Sequence, residues 1–438
     1  MILAVAACLL IHNVTAIDPA SRTVEKVDIR IEDGRIARIG GARRDMECAN
    51  TIVGSGKFLI PGLTDMHAHL FNHPWDEKGN LRPRFDRPSI EQMLRTFLAF
   101  GVTTVRDPGS ETEAAVTLRA MVNGGKVTGP TIVTCGRILN QSDFDPEPFT
   151  PVHDADEMRR EIRWQAAAGV DCVKIYASVR PELAKVAIDE AHKQGLPIIG
   201  HLQRTTWTEA AYLGIDGVEH PAPWSAEYVT ATERPNYQQD MFGRVFWLEH
   251  LDDKAIAEMV AALAKHRVVV DPTLMAMATK FEPAKWSQSA DVALAPELIR
   301  RGWPAGSFTR SWTPEQFAAA QRAWPKLLAL TKKLHDGGVA LVIGTDTATP
   351  WIVPGASVHD EMLLLRDAGL SPMDVLRAAT TSAAQALRRP DSGAIRLGAR
   401  ADLVLLDRDP LEDLRNTRSI SLVIHNGVAY DPAELLKE

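Results

Sequence analysis

Between Pro61 and Arg388 short apolar runs alternate with longer stretches whose apolar residues recur at helical spacing. SIEQMLRTFLAFG reads as a helix and VTTVRD as the strand after it. TEAAVTLRAMVNGG leads to TIVTCG, and DEMRREIRWQAAAG, with Asp154 or Asp156 as its cap, leads to DCVKIYA. PELAKVAIDEAHKQG precedes PIIGHL, TWTEAAYLG precedes GVEH, DKAIAEMVAALAKH precedes RVVVDPTL, and FAAAQRAWPKLLALTKKLHDGG precedes ALVIGTD. Counted from LIPGLTDMHAH, this makes eight strands, each followed by a helix or loop. The pattern predicts an α/β fold, a (β/α)8 TIM barrel with a parallel sheet. A doubly wound open sheet is the alternative, but it does not need eight repeats, and no Gly-rich phosphate loop follows the first strand.

The two ends of the chain read differently. LLIHNVTAID and VDIRIEDGRIARIG, with Asp33-Gly34 as a hairpin turn, are β-rich, as are ADLVLLD and SISLVIHNGVAYD, with Asn426-Gly427 as a second turn. Residues 1–60 and 389–438 are therefore expected to build one small β-sandwich domain beside a barrel over 61–388. In the plainer alternative each end decorates the barrel separately. Two long connections, Pro221 to His250 and Phe281 to Pro314, are rich in Trp, Pro and charge, as lids or oligomer contacts of barrels are. Seven of the ten tryptophans fall between Trp207 and Trp324, as packing residues or as walls of a substrate pocket.

Composition narrows the picture. In 438 residues, 45% hydrophobic and 24% charged content suits a globular chain with a large core. A net charge of −7 gives no reason to expect nucleic acid or an acidic membrane as partner. No apolar segment reaches the roughly 20 residues needed to cross a bilayer. Cys8, Cys48, Cys135 and Cys172 lie far apart without C-x-x-C spacing, which argues against a disulfide framework or a Cys-ligated zinc site and fits a reducing, cytoplasmic setting. Val5-Ala6-Ala7-Cys8 looks like a lipoprotein cleavage box, but it lacks a basic lead and an adequate apolar run. A first strand running through Leu9-Leu10-Ile11 is the expectation, and a truncated export signal is the alternative.

Candidate chemistry begins in Phe58-Leu59-Ile60-Pro61-Gly62-Leu63-Thr64-Asp65-Met66-His67-Ala68-His69. On a strand His67 and His69 share a face, roughly 6–7 Å apart, and two neutral imidazoles so placed can converge on one metal. Alone the pair is a weak signal. Further groups end later strands: Lys174 in the fourth, His201 the fifth, His220 the sixth and Asp346 the eighth. In a barrel these ends form one mouth, where chemistry sits in this fold. A lone histidine at a strand end is commonly a hydrogen-bonded turn residue, but a lone lysine in an apolar strand calls for a partner or a chemical change.

Together these residues resemble the amidohydrolase superfamily of metal-dependent hydrolases, from the N-terminal strands through Pro61–His69 to Gly398-Ala399-Arg400-Ala401-Asp402-Leu403-Val404. Val102-Thr103-Thr104-Val105-Arg106-Asp107 and Leu376-Arg377-Ala378-Ala379-Thr380 look like the branch of imidazolonepropionase-like proteins and prolidase-type Xaa-Pro dipeptidases. The resemblance implies a CO2-derived carbamate on Lys174 and two divalent ions, zinc by preference of imidazole and carboxylate ligands, with manganese, cobalt or iron as alternatives. It implies His67, His69, the carbamate and Asp346 around one ion, and the carbamate, His201 and His220 around the other. Asp346 would act as general base and then acid. Members are often homo-oligomers.

For a small-molecule substrate, Tyr176 shares a strand face with Lys174, one step nearer the mouth; its plainer reading is strand-end packing. Arg204 and Trp207, after His201, and Trp224, after His220, are further candidates, with Arg204 suited to a carboxylate or simply a solvated loop residue. The chain departs from prolidase-like relatives. Arg137-Ile138-Leu139-Asn140-Gln141-Ser142-Asp143 replaces a Gly-Gly-His-Gly loop, Tyr176-Ala177-Ser178-Val179 replaces Ser-Gly-Gly, and Leu202-Gln203-Arg204-Thr205-Thr206-Trp207 replaces a small-residue loop. The expectation is hydrolysis of an amide-type C–N bond in a dipeptide, an N-acyl amino acid or a cyclic amide. A lactonase or phosphotriesterase activity on the same centre is the alternative. A non-catalytic scaffold is the remaining one, although such relatives lose ligands and all six candidates stand here.

Overall fold

A computed structural model describes residues 8–40, 48–71, 86–142, 148–347 and 349–437. The apolar lead over residues 1–7 and Asp143 lie outside these. Seven of the expected barrel strands form as parallel ladders: Leu63–Asp65, Val102–Asp107, Thr131–Thr134, Val173–Ile175, Ile198–Gly200, Gly217–Glu219 and Val269–Asp271. The third and fourth join through the Asp171 N–H to the Thr134 carbonyl, 2.8 Å. The eighth, ALVIGTD, is an extended segment held by isolated parallel bridges at Leu341 and Thr347. Its N–H of Val342 reaches Val270 on one side, and its Ile343 carbonyl accepts the Met66 N–H on the other, closing the ring.

That strand is irregular for a local reason. The Asp65 carboxylate, not a backbone carbonyl, accepts the Thr345 N–H at 3.1 Å and the Thr345 hydroxyl at 2.7 Å. Gly344 sits so close to Asp271 that a Cβ there would lie 2.2 Å from Oδ2. Only glycine leaves the carboxylate room.

The helices follow their sequence signals. Asp154 is the cap of Ala155–Ala168, accepting the N–H groups of Asp156 and Glu157. Thr206 and Glu209 form a capping box ahead of Trp207–Leu213.

Both chain ends enter one eight-stranded sheet, in the order Val428–Tyr430, Ile420–His425, Leu403–Leu406, Phe58–Pro61, Leu9–Asp18, Thr23–Glu32, Arg35–Ile39, with Asn50–Val53 also pairing Leu9–Asp18. Its aliphatic core includes Ile11, Val14, Ile29, Leu59, Leu403 and Ile424. The hairpin turns at Asp33-Gly34 and Asn426-Gly427 have positive φ throughout, 48°, 72°, 50° and 77°, and the two turns meet, with a Cβ on Gly34 falling 2.9 Å from the Asn426 carbonyl. The strand Phe58–Pro61 belongs to this sheet and runs straight on into the first barrel strand, so one continuous stretch couples the small domain to the barrel mouth.

The cysteine expectation is corrected. Cys8 bonds Cys48 and Cys135 bonds Cys172, with Cα–Cα distances of 5.5 and 4.3 Å. Wide sequence spacing says nothing about spatial adjacency. Pairing of the third barrel strand with the start of the fourth brings Cys135 beside Cys172 across 37 residues. The argument for a reducing compartment falls with it. Among the described residues no helix is long and apolar enough to cross a membrane.

The two long connections pack on one another. Phe242 of the first stacks edge-on against Trp312 of the second at 5.6 Å, and Trp312 also meets Phe281.

Candidate active site

The strand ends bring the expected ligands to one mouth. His67 Nε2 and His69 Nε2 lie 3.5 and 3.7 Å from Asp346 Oδ1. The His67 ring is 5.1 Å from those of His69 and His220, and His220 is 4.2 Å from His201. Lys174 is fully buried, its Nζ in contact with Glu219 Oε2. Among the described residues, two groups bring ligand atoms within 4.8 Å of one another: His67, His69 and Asp346, and His67, Glu219 and Asp271.

Backbone strain aims these side chains. His220, Thr273 and Asp346, which close the sixth, seventh and eighth strands, have φ of 75°, 40° and 65°. Such angles are costly for residues with a Cβ, above all for a β-branched threonine, and persist where the surroundings enforce them. Asp346 is held by its N–H to the His67 carbonyl, 2.8 Å, so the strain is locked across the seam of the barrel. Thr273 uses its hydroxyl on His220 Nδ1 at 3.1 Å, and the Gly109 carbonyl lies 3.0 Å from His69 Nδ1. Each contact fixes a ring so that Nε2 is the nitrogen left to bind.

Electrostatics prepares the same groups. Burial, and then the charge of Lys174, hold His67 and His201 well below the usual imidazole range; burial, then His201 and Lys174, do so for His220. Both effects favour the neutral imidazole, the form in which histidine can bind a metal. Burial and the neighbouring Arg106 push the Lys174 amine well below its ordinary value, against the pull of Asp346 and Asp271. The donors fit divalent ions: among the described residues His67 Nδ1 and both oxygens of Asp271 are buried without a hydrogen-bond partner.

Beneath the ligands lies a charge network that the strand-end reading passed over. Arg106 donates to the Met66 carbonyl at 2.7 Å and to Glu219 at 2.9 Å, and stands 3.5 Å from Asp271. Burial raises Asp271 and Asp65 to about 7 and lowers Arg106 to about 10. Glu361, buried, accepts the N–H groups of Leu274 and Met275 and anchors the helix Leu274–Phe281. The signal was present in the sequence: Arg106, Glu219 and Asp271 are charges inside apolar strands, as Lys174 is.

The substrate candidates separate. Tyr176 packs its ring 4.4 Å from His201 and 4.8 Å from Phe149, at the mouth. Trp224 is buried after His220, with its ring 5.3 Å from Trp247. Trp207 lies wholly in the hydrophobic core. Arg204 is exposed, and its backbone N–H bonds the Ala177 carbonyl.

Comparison with known proteins adds a lineage to this geometry. The family model described as "Amidohydrolase family" matches residues 58–429. A dihydroorotase of Syntrophotalea carbinolica is 25% identical over 423 residues, covering 91% of this chain and 89% of the relative. An ochratoxinase of Aspergillus niger is 22% identical over 417 residues, covering 84% and 74%. The solved structure of a prolidase complexed with N-methylphosphonate-L-proline superposes with a TM-score of 0.74 at 21% identity, over 97% of this chain and 99% of that one.

Proposed function

Because this chain belongs to the amidohydrolase family, a family of metal-dependent hydrolases, we propose that it is a binuclear enzyme that cleaves an amide-type C–N bond, in a dipeptide, an N-acyl amino acid or a cyclic amide. The observation that carries the reading is the convergence of His67, His69 and Asp346 with His201, His220 and the buried Lys174 at one barrel mouth. Dihydroorotase, ochratoxinase and prolidase are names for different substrates, so the substrate must be read from this chain's own side chains.

The residues divide the work. His67, His69, Asp346 and a carbamate on Lys174 would hold one ion, and that carbamate with His201 and His220 the other, zinc being the ion best suited to these donors. The depressed amine of Lys174 favours the neutral form that adds CO2 with loss of a proton; without that modification its Nζ rests on Glu219. Ions bound there supply an acidified water and a polarised carbonyl. Asp346, between the two histidines, takes the proton of the attacking water and returns it to the leaving nitrogen. Thr273 and the Gly109 carbonyl keep His220 and His69 turned for binding. Tyr176, beside His201, borders the space where the substrate lies.

The test is amine release from a panel of dipeptides, N-acyl amino acids, cyclic amides and lactones by zinc-loaded protein expressed with bicarbonate, with Lys174→Ala as control. Release by the wild type alone, with two metals per chain falling in the variant, supports the proposal. Preference for alcohol over amine leaving groups would reassign the centre to lactone or phosphotriester chemistry. Absence of both metal and turnover would sink the enzyme reading.

A further inference from the structure

Two cations stand near the mouth on elements that follow its strand ends, and among the described residues neither is paired with an acid. Arg244, in the helix Gly243–Glu249 of the first long connection, lies with its guanidinium 5.2 Å from the Trp224 ring and Nη1 3.3 Å from Met277 Sδ. Lys280 lies one helical turn beyond Met277 on Leu274–Phe281, is 8% exposed, has the Phe308 ring 5.3 Å from its Nζ and, among the described residues, donates a hydrogen bond only to the Ala276 carbonyl, 2.7 Å. That helix starts beside Thr273, which holds His220. Both cations help to lower His201 and His220, and Asp346 is the one carboxylate that pulls on each of them, after the Tyr176 and Tyr237 phenols in the case of Arg244. Among the described residues neither has a carboxylate oxygen within 4.0 Å.

Burying an ammonium and placing a guanidinium over an indole, with no counter-charge, is costly unless an anion arrives. Packing alone would be served better by Met or Leu. A planar guanidinium is suited to grip a carboxylate by two hydrogen bonds. Asp346, which in the proposed reaction returns the proton to the leaving nitrogen, pulls on both cations, and on that ground the amine half of the substrate is assigned to their side.

We propose that Arg244 and Lys280 bind the free α-carboxylate of the amino acid whose nitrogen is released, which selects dipeptides and N-acyl amino acids over cyclic or otherwise uncharged amides. The proposal rests on the amide-hydrolase reading, and its test separates the two. Binding of N-acetyl amino acids and of the matching N-acetyl amino-acid amides is followed by tryptophan fluorescence on metal-loaded protein. Turnover of the same pairs is measured beside it. Loss of one partner of a desolvated charge pair predicts that Arg244→Met and Lys280→Met each weaken the acid by about 50-fold, carried by Kd and KM, and change the amide by less than about threefold. Arg244→Lys should recover part of the acid preference, which a purely packing residue would not show, and keeps the test open if Arg244→Met fails to fold. Binding of the acids without turnover would uphold the carboxylate site and overturn the hydrolase reading. Turnover without preference for acid over amide, or no preference in binding across the panel, would overturn the carboxylate site.

Discussion

The terminal sheet and the barrel mouth both bury carboxylates, and they treat them in opposite ways. In the sheet, Asp402 accepts His425 Nδ1 and the Asn426 N–H, both at 2.8 Å, and Asp18 accepts the Ile395 N–H and the Ser21 hydroxyl. Burial alone would raise Asp402, but His425 and the Asn426 N–H hold it below the usual carboxylate range. In the mouth, Asp271 is also buried, has among the described residues no hydrogen bond to either oxygen, stands 3.5 Å from Arg106, and is raised to about 7 by burial. A satisfied buried carboxylate fastens two strands together. One left without hydrogen bonds is a cost to the fold, which the proposed metal centre would offset.

Four experiments test that contrast. The largest effect is on chemistry: Lys174→Ala should lower kcat/KM by about 10³-fold or more, the scale of metal-ion assistance, while the thermal midpoint of metal-free protein holds or rises. A fully active variant would remove Lys174 from the centre. Next, Asp402→Ala strands His425 and the Asn426 N–H and should cost about 3 kcal/mol in denaturant unfolding, with metal content unchanged. A loss of metal instead would mean that the sheet and the mouth are not separable.

Third, Asp271→Asn should stabilise metal-free protein by roughly 2 kcal/mol at pH 8 while impairing activity. The sign follows from the raised folded value: between 3.8 and about 7 the unfolded chain loses its proton first, so stability falls as pH rises through that window. A destabilised variant at pH 8 would show that Arg106 already compensates the charge. At neutral pH the smallest effect belongs to a third kind of site, because its cost appears only below 6.5: His359 is buried and bonded to Thr417 and the Phe100 carbonyl. Burial, then Arg418, lowers it to about 3 from 6.5. Stability present above 6.5 should be lost as pH falls toward 3, by about 1.4 kcal/mol per unit, and His359→Gln should flatten that slope in pH-dependent unfolding.

Much of the centre was legible because strand ends are local. His67 and His69 share a face by the two-residue repeat, and Lys174 is conspicuous as a charge in an apolar strand. Arg106, Glu219 and Asp271 carry the same signal and were readable by the same rule, but their partnership was not, since it joins the second, sixth and seventh strands. Arg244 and Lys280 have no motif at all. They become neighbours of the mouth only when the connection holding Arg244 folds over the helix after the seventh strand. Arg204, by contrast, follows His201 directly and still ends in solvent, because proximity in sequence does not aim a loop side chain inward.

Local pattern alone specified the alternation that closes into a barrel, the caps and hairpin turns, and the residue types at each strand end. These depend on periods of 3.6 and 2.0 and on turn chemistry, which act over a few residues. The long-range packing settled which cysteines bond, which buried charges meet, and which cations come to lie near the mouth. Those outcomes depend on closing loops between segments far apart in the chain, where only the assembled core fixes distance, and distance in a desolvated interior sets whether a charge is satisfied or held in wait for a ligand.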